Sequence, residues 1–330
     1  MNGPRLILAP IRGITDVVYR EAFARCFGGF DAAIAPFIQP RSGRPLRPAE
    51  LSQVAPEANV AMRTIPQILA NDGRTFVDCV HALQGAGHTE VNWNLGCPSP
   101  NVAGRGRGSG LLPFPERIDE ILGRVLGETG VRLSVKLRLG YKEPDEYLAV
   151  LEVLNKHLLT EVILHPRIGV QRYRGNVDLA RAEMAAALCR HPFVYNGDIN
   201  GPETFTELAQ RFSGVDGWML GRGALRCPFL PNLVREATGM GESSATTLNV
   251  DNPQAYLAVL RSFHDQLLEG YADWLSGPAH LLQRMKSQWA YLVHSFANPK
   301  AVNARIRRCK DVESYLAAVE WAFKQAPYPR

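Results

Sequence analysis

Residues 132–140 read Arg132-Leu133-Ser134-Val135-Lys136-Leu137-Arg138-Leu139-Gly140. Leu133, Val135 and Leu137 mark Arg132–Leu137 as an apolar strand, yet Lys136 and Arg138 alternate around Leu137 and so project from one face. A lysine on a buried strand is costly unless it serves an anion or an electron-rich ring. The stretch is the fifth of eight similar runs. Arg5–Ala9, Asp31–Pro36, Pro66–Ala70 and Glu90–Leu95 precede it, and Glu161–His165, Pro192–Asn196 and Gly217–Leu220 follow. Helical spacing recurs over Asp16–Cys26, Arg74–Gln84, Pro115–Gly127, Pro144–His157, Val177–Cys189 and Pro202–Phe212, several opening on proline or an acidic residue. Strand and helix in alternation predict an α/β fold with parallel strands, and eight strands predict a TIM (β/α)8 barrel. An open doubly wound sheet is the rival, but it would more often carry GxGxxG after an early strand, and Pro10–Gly13 supplies none.

Beyond the eighth run the character changes. Gly239–Val250 is rich in Gly, Glu, Ser, Thr and Asn and reads as a linker. Pro253–Glu269, Gly277–Phe296, Lys300–Arg308 and Val312–Lys324 then predict a small all-helical domain. The expected division is a barrel over 1–240 and a helical domain over 241–330. With 330 residues and 46% hydrophobic content, the chain can bury a sizeable core. No apolar run approaches the roughly 20 residues of a membrane helix, and the start lacks a signal peptide's layout, so a cytoplasmic protein is expected. The six cysteines, at 26, 79, 97, 189, 227 and 309, form no CxxC pair and no zinc-type spacing, which predicts free thiols and no metal. A formal charge of +5 is too mild to point to nucleic acid by itself.

In a TIM barrel the chemistry sits at the C-terminal ends of the strands. Gln67 lies in the third run, Asn94 and Cys97 close the fourth, Lys136 and Arg138 the fifth, and His165 the sixth. Asn196 and Asp198 close the seventh, and Gly221-Arg222-Gly223 follows the eighth. One polar residue at a strand end often does no more than meet water; a full ring of them argues for a site. Gly221-Arg222-Gly223 suits phosphate, because glycines let backbone N–H groups approach closely and barrels often hold phosphate after strands seven and eight. Cys97, between Gly96 and Pro98, is held in a bend that a core-filling cysteine would not need. A thiol is mostly protonated at neutral pH and can deliver a proton.

These motifs together resemble the tRNA-dihydrouridine synthase family. The likeness rests on Ala9-Pro10-Ile11-Arg12-Gly13-Ile14-Thr15-Asp16, the Asn94–Pro98 turn, Ser134–Gly140, the region from His165 to Tyr173 and Gly175, Asn196-Gly197-Asp198, and Met219-Leu220-Gly221-Arg222-Gly223. The resemblance implies a barrel that binds FMN, is reduced by NADPH, and reduces a uridine to 5,6-dihydrouridine with Cys97 as the acid. It implies FMN contacts at Pro10, Ile11, Arg12, Gln67, Lys136, His165, Asn196, Gly197, Asp198, Gly221 and Arg222. Asn94, Arg138 and Tyr173 are expected at the extruded base, and Arg284, Lys286, Tyr291 and Arg307 at the tRNA. The subgroup it is most similar to is the bacterial C type, which implies the D-loop uridine at position 16. A monomer is expected, since the recognition face must stay open. Arg12, Pro100 with Asn101, and Pro166 depart from the family's usual residues. Two alternatives stand beside this reading: an FMN barrel acting on a small pyrimidine, as dihydroorotate dehydrogenases do, and dihydrouridine synthesis on ribosomal RNA.

Overall fold

The computed structural model describes residues 4–238 and 252–327. The barrel strands are β1 (Leu6–Leu8), β2 (Ala32–Ile34), β3 (Thr64–Ile65), β4 (Gln67–Ile68), β5 (Glu90–Leu95), β6 (Arg132–Gly140), β7 (Val162–Ile168), β8 (Phe193–Tyr195) and β9 (Gly217–Leu220). Between and after them lie α1 (Val17–Cys26), α2 (Pro48–Leu51), α3 (Gly73–Gly85), α4 (Pro100–Ala103), α5 (Pro115–Thr129) and α6 (Glu146–Leu154). The barrel continues with α7 (Leu179–Leu188), α8 (Pro202–Arg211), α9 (Arg222–Arg226) and α10 (Leu230–Ala237). A helical region follows, with α11 (Pro253–Trp274), α12 (Pro278–Leu292), α13 (Pro299–Arg308) and α14 (Val312–Ala322).

Neighbouring strands pair in the order β3-β2-β1-β9-β8-β7-β6-β5-β4, all parallel. The two ends of that order, β3 and β4, are separated only by Pro66, which has no N–H to give to a ladder. The Pro66 carbonyl accepts from Asn92 N–H at 2.8 Å, and the Ile65 carbonyl from Ala35 N–H at 2.9 Å. β3 and β4 are therefore one barrel strand facing two partners, and the eight expected strands close into a TIM barrel. The third strand starts at Thr64, two residues before the sequence places it, because it must meet β2 before it meets β5. β6 and β7 run three residues past their expected ends, to Gly140 and Ile168.

The barrel interior has two halves. Ile7, Ile34, Ile65, Ile163, Val194 and Met219 form an apolar cluster. Across from it, Gln67, Asn92 and Ser134 stand side by side on β4, β5 and β6. Gln67 Nε2 donates to Asn92 Oδ1 at 2.7 Å, and Asn92 Nδ2 to Ser134 Oγ at 2.8 Å. Buried amides without partners would cost free energy; here each donor meets an acceptor.

The helical region packs on α1. Tyr19 and Phe23 of α1 meet Phe263 of α11 edge-on, with ring centroids at 5.5 Å and 6.2 Å, and one apolar cluster joins Leu8, Tyr19 and Phe229 to Leu267, Tyr271 and Trp289. The expected linker Gly239–Val250, and with it the expected division at 240/241, lies outside the described residues. Helices α9 and α10, which the sequence reading does not anticipate, carry the chain from β9 toward it. Among the described residues, no helix is long and apolar enough to cross a membrane.

Candidate active site

The cysteine turn is built from the end of β5. Asn94 Oδ1 accepts from the N–H groups of Gly96 (3.1 Å) and Cys97 (2.8 Å), bending the chain as it leaves the strand. Asn94 Nδ2 donates to Gln67 Oε1 at 2.7 Å, so the amide is held at both ends. Arg138 Nε donates to the Gly96 carbonyl at 2.9 Å, and Ser109 donates to the Cys97 carbonyl through its N–H (3.1 Å) and its Oγ–H (3.0 Å). Gly108 closes the cradle at φ +56°: a Cβ there would lie 2.8 Å from the Cys97 carbonyl oxygen and 2.9 Å from its Cβ. Burial pushes the Cys97 thiol up, against weaker opposing pulls from the Ser99 backbone and from Arg138, Arg12 and Lys136. At neutral pH it is a thiol with a proton to give, and not a nucleophile.

Beside this turn, at the ends of β1 and of β6 to β9, is a cavity of about 340 Å³. Pro10, Ile11, Lys136, His165, Asn196, Gly197, Asp198, Gly221 and Arg222 line it, nine of the eleven expected cofactor residues. The other two stand elsewhere: Arg12 lies 5.3 Å over the Phe37 ring, and Gln67 belongs to the polar barrel interior. The lining also takes in Ala9, Ile199, Asn200, Met219 and Gly223, which are not among the expected cofactor residues. Gly223 has a clear reason to be glycine, since a Cβ would fall 2.0 Å from the Ile199 carbonyl oxygen.

Charge at the site is one-sided. Among the described residues, Asp198 is the only carboxylate in the lining, at φ +44°, and Arg222 Nη2 donates to its Oδ1 at 3.1 Å. Arg167, behind the lining and 2% exposed, forks onto both oxygens of that carboxylate. Lys136 has no hydrogen bond or ion pair with the described residues; burial and the nearby Arg138 lower it to about 7. His165 is held well below its ordinary pKa, by burial first and then by Arg138, Lys136, Arg167 and Arg222, so it is neutral. The arrangement favours an anionic ligand. Arg167 was within reach of sequence reading: it alternates with His165 on the same strand, and ending the strand at His165 hides it.

Tyr173 overhangs the cavity, 54% exposed, with the Arg222 guanidinium 4.8 Å and that of Arg138 5.3 Å from its ring centroid. Tyr291 reaches the same cavity from α12. Arg138 itself is 2% exposed, and its Nη1 donates to the carbonyls of Ile168 (3.1 Å) and Arg172 (2.6 Å). Thus Arg138 ties the cysteine turn to the loop that carries Tyr173. Arg284 Nη1 donates to the Gly13 carbonyl (2.6 Å) and to Asp16 Oδ2 (2.8 Å), and Lys286 Nζ donates to the carbonyls of Arg307 (3.2 Å) and Cys309. Two of the four residues expected at the tRNA, Arg284 and Lys286, are therefore engaged within the protein, whereas a third, Arg307, is exposed on α13. All six cysteines are free thiols.

The chain is similar to known proteins over nearly its whole length. It is 27% identical over 330 residues to a probable tRNA-dihydrouridine synthase of Rhodobacter capsulatus, covering 98% of this chain and 95% of the relative. It is 24% identical over 317 residues to tRNA-dihydrouridine synthase B of Vibrio parahaemolyticus (94% and 95%), and 26% over 326 residues to tRNA-dihydrouridine(16) synthase of Ralstonia nicotianae (96% and 96%). Among solved structures, the old yellow enzyme homologue of Zymomonas mobilis shares the barrel at 13% identity and a TM-score of 0.52, over 74% of this chain and 91% of that one. Histamine dehydrogenase from Rhizobium sp. 4-9 does so at 12% and 0.51, over 79% and 49%. The dihydrouridine synthase family model matches residues 7–325, and with that match the chain belongs to the dihydrouridine synthase family and is an enzyme of it, an oxidoreductase that makes dihydrouridine.

Proposed function

We propose that this enzyme reduces the D-loop uridine at position 16 of tRNA, with FMN as bound cofactor and NADPH as reductant, and that it works as a monomer in the cytoplasm. The observation that carries the proposal is the protonated Cys97 thiol, fixed by Asn94, Arg138 and Gly108 beside a cation-rich cavity. The names of the relatives support tRNA as the substrate, the Ralstonia relative supports position 16, and the expected C subgroup goes with that position.

The residues present fit FMN. The unpaired Lys136 Nζ faces the cavity, Arg222 stands between Gly221 and the close-packed Gly223, and Pro10 and Ile11 form an apolar wall. When bound, FMN supplies the hydride for carbon 6 of the uracil ring. Cys97 Sγ–H gives its proton to carbon 5, which makes the thiol the general acid. Lys136 offsets negative charge on the cofactor ring, and Gly221 with Arg222 holds its phosphate, with Asn196, Gly197, Asp198 and His165 completing the lining. Gln67, deeper in the barrel, and Arg12, at the rim, complete the cofactor set. The target base leaves its stack, at a cost of a few kcal/mol, and meets Tyr173 from above and the turn held by Asn94 and Arg138 from the side. Arg307 contacts the RNA backbone; Arg284 and Lys286 serve recognition by holding α12, and Tyr291 stands where α12 meets the cavity.

The test is to map dihydrouridine at single-nucleotide resolution in RNA from cells with and without the gene. Loss at position 16, restored by the wild-type gene but not by Cys97→Ala, is the expected result. Loss at another tRNA position would refute position 16, and loss in no tRNA would refute the tRNA reading.

A further inference from the structure

His165 lines the cavity, and which of its ring nitrogens carries the proton decides what the cavity can hold at that point. The answer lies in Arg167, two residues on along β7, which does not line the cavity. Arg167 is 2% exposed and its four Nη hydrogens all have partners. Nη1 lies 3.1 Å from His165 Nε2 and donates to Asp198 Oδ1 at 3.0 Å; Nη2 donates to the Gly175 carbonyl at 2.7 Å and to Asp198 Oδ2. The fork onto Asp198 fixes the plane of the guanidinium, so Nη1 cannot turn away from the histidine without giving up a charged, two-point contact.

A guanidinium has donors and no acceptor. His165 Nε2 must then accept, which leaves Nε2 bare and, in a neutral imidazole, puts the proton on Nδ1. Neutrality follows from the surroundings: the ring is 8% exposed and Lys136, Arg138, Arg167 and Arg222 all act against a further positive charge. Nδ1 makes no hydrogen bond to the described residues, and the ring borders the cavity.

We infer that Arg167 is a positioning residue that holds His165 as the Nδ1–H tautomer, so that the ring offers the cavity a donor and the ligand atom it meets must be an acceptor. Such an atom is a carbonyl oxygen, an unprotonated ring nitrogen or a phosphate oxygen. The inference concerns the chain's own residues; only the identity of the acceptor rests on the proposed flavin. Asp198 gains a second role here, as the anchor that aims Arg167, and its left-handed backbone brings its carboxylate between Arg167 and Arg222.

The experiment uses the full-length protein labelled with ¹⁵N-histidine, as purified with its cofactor and after the cofactor is stripped. Two-bond ¹H–¹⁵N correlation distinguishes protonated from bare ring nitrogens, and His165→Gln identifies the signal by its loss. The expected spectrum has protonated Nδ1 and bare Nε2 with and without cofactor, with a tautomer ratio on the order of ten or more. In Arg167→Met the ratio should fall toward one. A wild-type spectrum with the proton on Nε2, or a folded Arg167→Met protein with an unchanged ratio, overturns the inference. If Arg167→Met does not fold, the wild-type spectrum decides alone. An Nδ1–H signal in a protein that binds no FMN would refute the flavin proposal and leave this inference standing; an Nε2–H signal in flavin-loaded protein would do the reverse.

Discussion

Lys136 and Cys97 are both shifted by burial, in opposite senses of charge. With its pKa near 7 and not 10.5, Lys136 is neutral in the folded protein over a window where the unfolded chain still binds a proton there. Its contribution to stability therefore rises with pH across that window and is lowest below pH 7. An anion in the cavity pulls the pKa back up, so FMN binding to stripped protein at pH 8 should take up part of a proton. Titration calorimetry in buffers of different ionisation heat reads this directly. Lys136→Met should abolish the uptake and weaken binding on the order of tenfold; a wild-type protein without uptake would separate Lys136 from the anion. For Cys97, the raised thiol predicts activity that holds through neutral pH and falls only at a pH above the ordinary thiol range. Cys97→Ala should keep flavin and its reduction by NADPH but slow uridine reduction on the order of 10²–10⁴-fold in single-turnover assays.

At the level of elements, two loops carry the site and each is pinned by something distant in sequence. The cysteine turn rests on Gly108, whose φ of +56° and close approach to Cys97 leave no room for a methyl group. Gly108→Ala should lower kcat on the order of 10–100-fold at unchanged flavin content, because a small misplacement of the acid suffices; unchanged kcat would show that the turn tolerates displacement. The β1–α1 loop, which supplies Pro10 and Ile11 to the cavity, is held from the helical region. Asp16 accepts from Arg284 and from Tyr271 Oη (2.8 Å), and Gln288 Nε2 donates to the Ile14 carbonyl at 3.1 Å. Arg284→Ala should cost about 1–3 kcal/mol of stability and also weaken FMN binding, although Arg284 does not line the cavity. Thermal unfolding and fluorescence titration check this; FMN affinity equal to wild type would mean the latch does not reach the cofactor loop.

Across the whole molecule, charge sorts by use. Arg284 and Lys286 are engaged within the protein, while Arg307, Arg308 and Lys310 stand exposed at the end of α13. Between 241 and 330 there are ten Lys and Arg against eight Asp and Glu, so any affinity for RNA depends on this local cluster and not on net charge. Replacing Arg307 and Arg308 by alanine should weaken tRNA binding and reduce its salt slope by about one for each phosphate left without its cation, with flavin content intact. An unchanged slope would place the RNA elsewhere. What the sequence determined alone is what depends on local pattern: eight strands and their helices from apolar periodicity, and the ring of polar residues at the strand ends, of which Lys136, His165, Asn196, Asp198 and Arg222 line one cavity. What it left to the tertiary structure is pairing at a distance. Pro66 reads as the start of a strand and is instead the joint at which the barrel closes; Arg284 reads as an RNA contact and meets Asp16; Arg167 reads as a residue beyond a strand end and aims His165. A side chain's neighbours along the chain follow from its spacing, but a cation's partner is whichever group the closed barrel brings within about 3 Å, and no local pattern carries that distance.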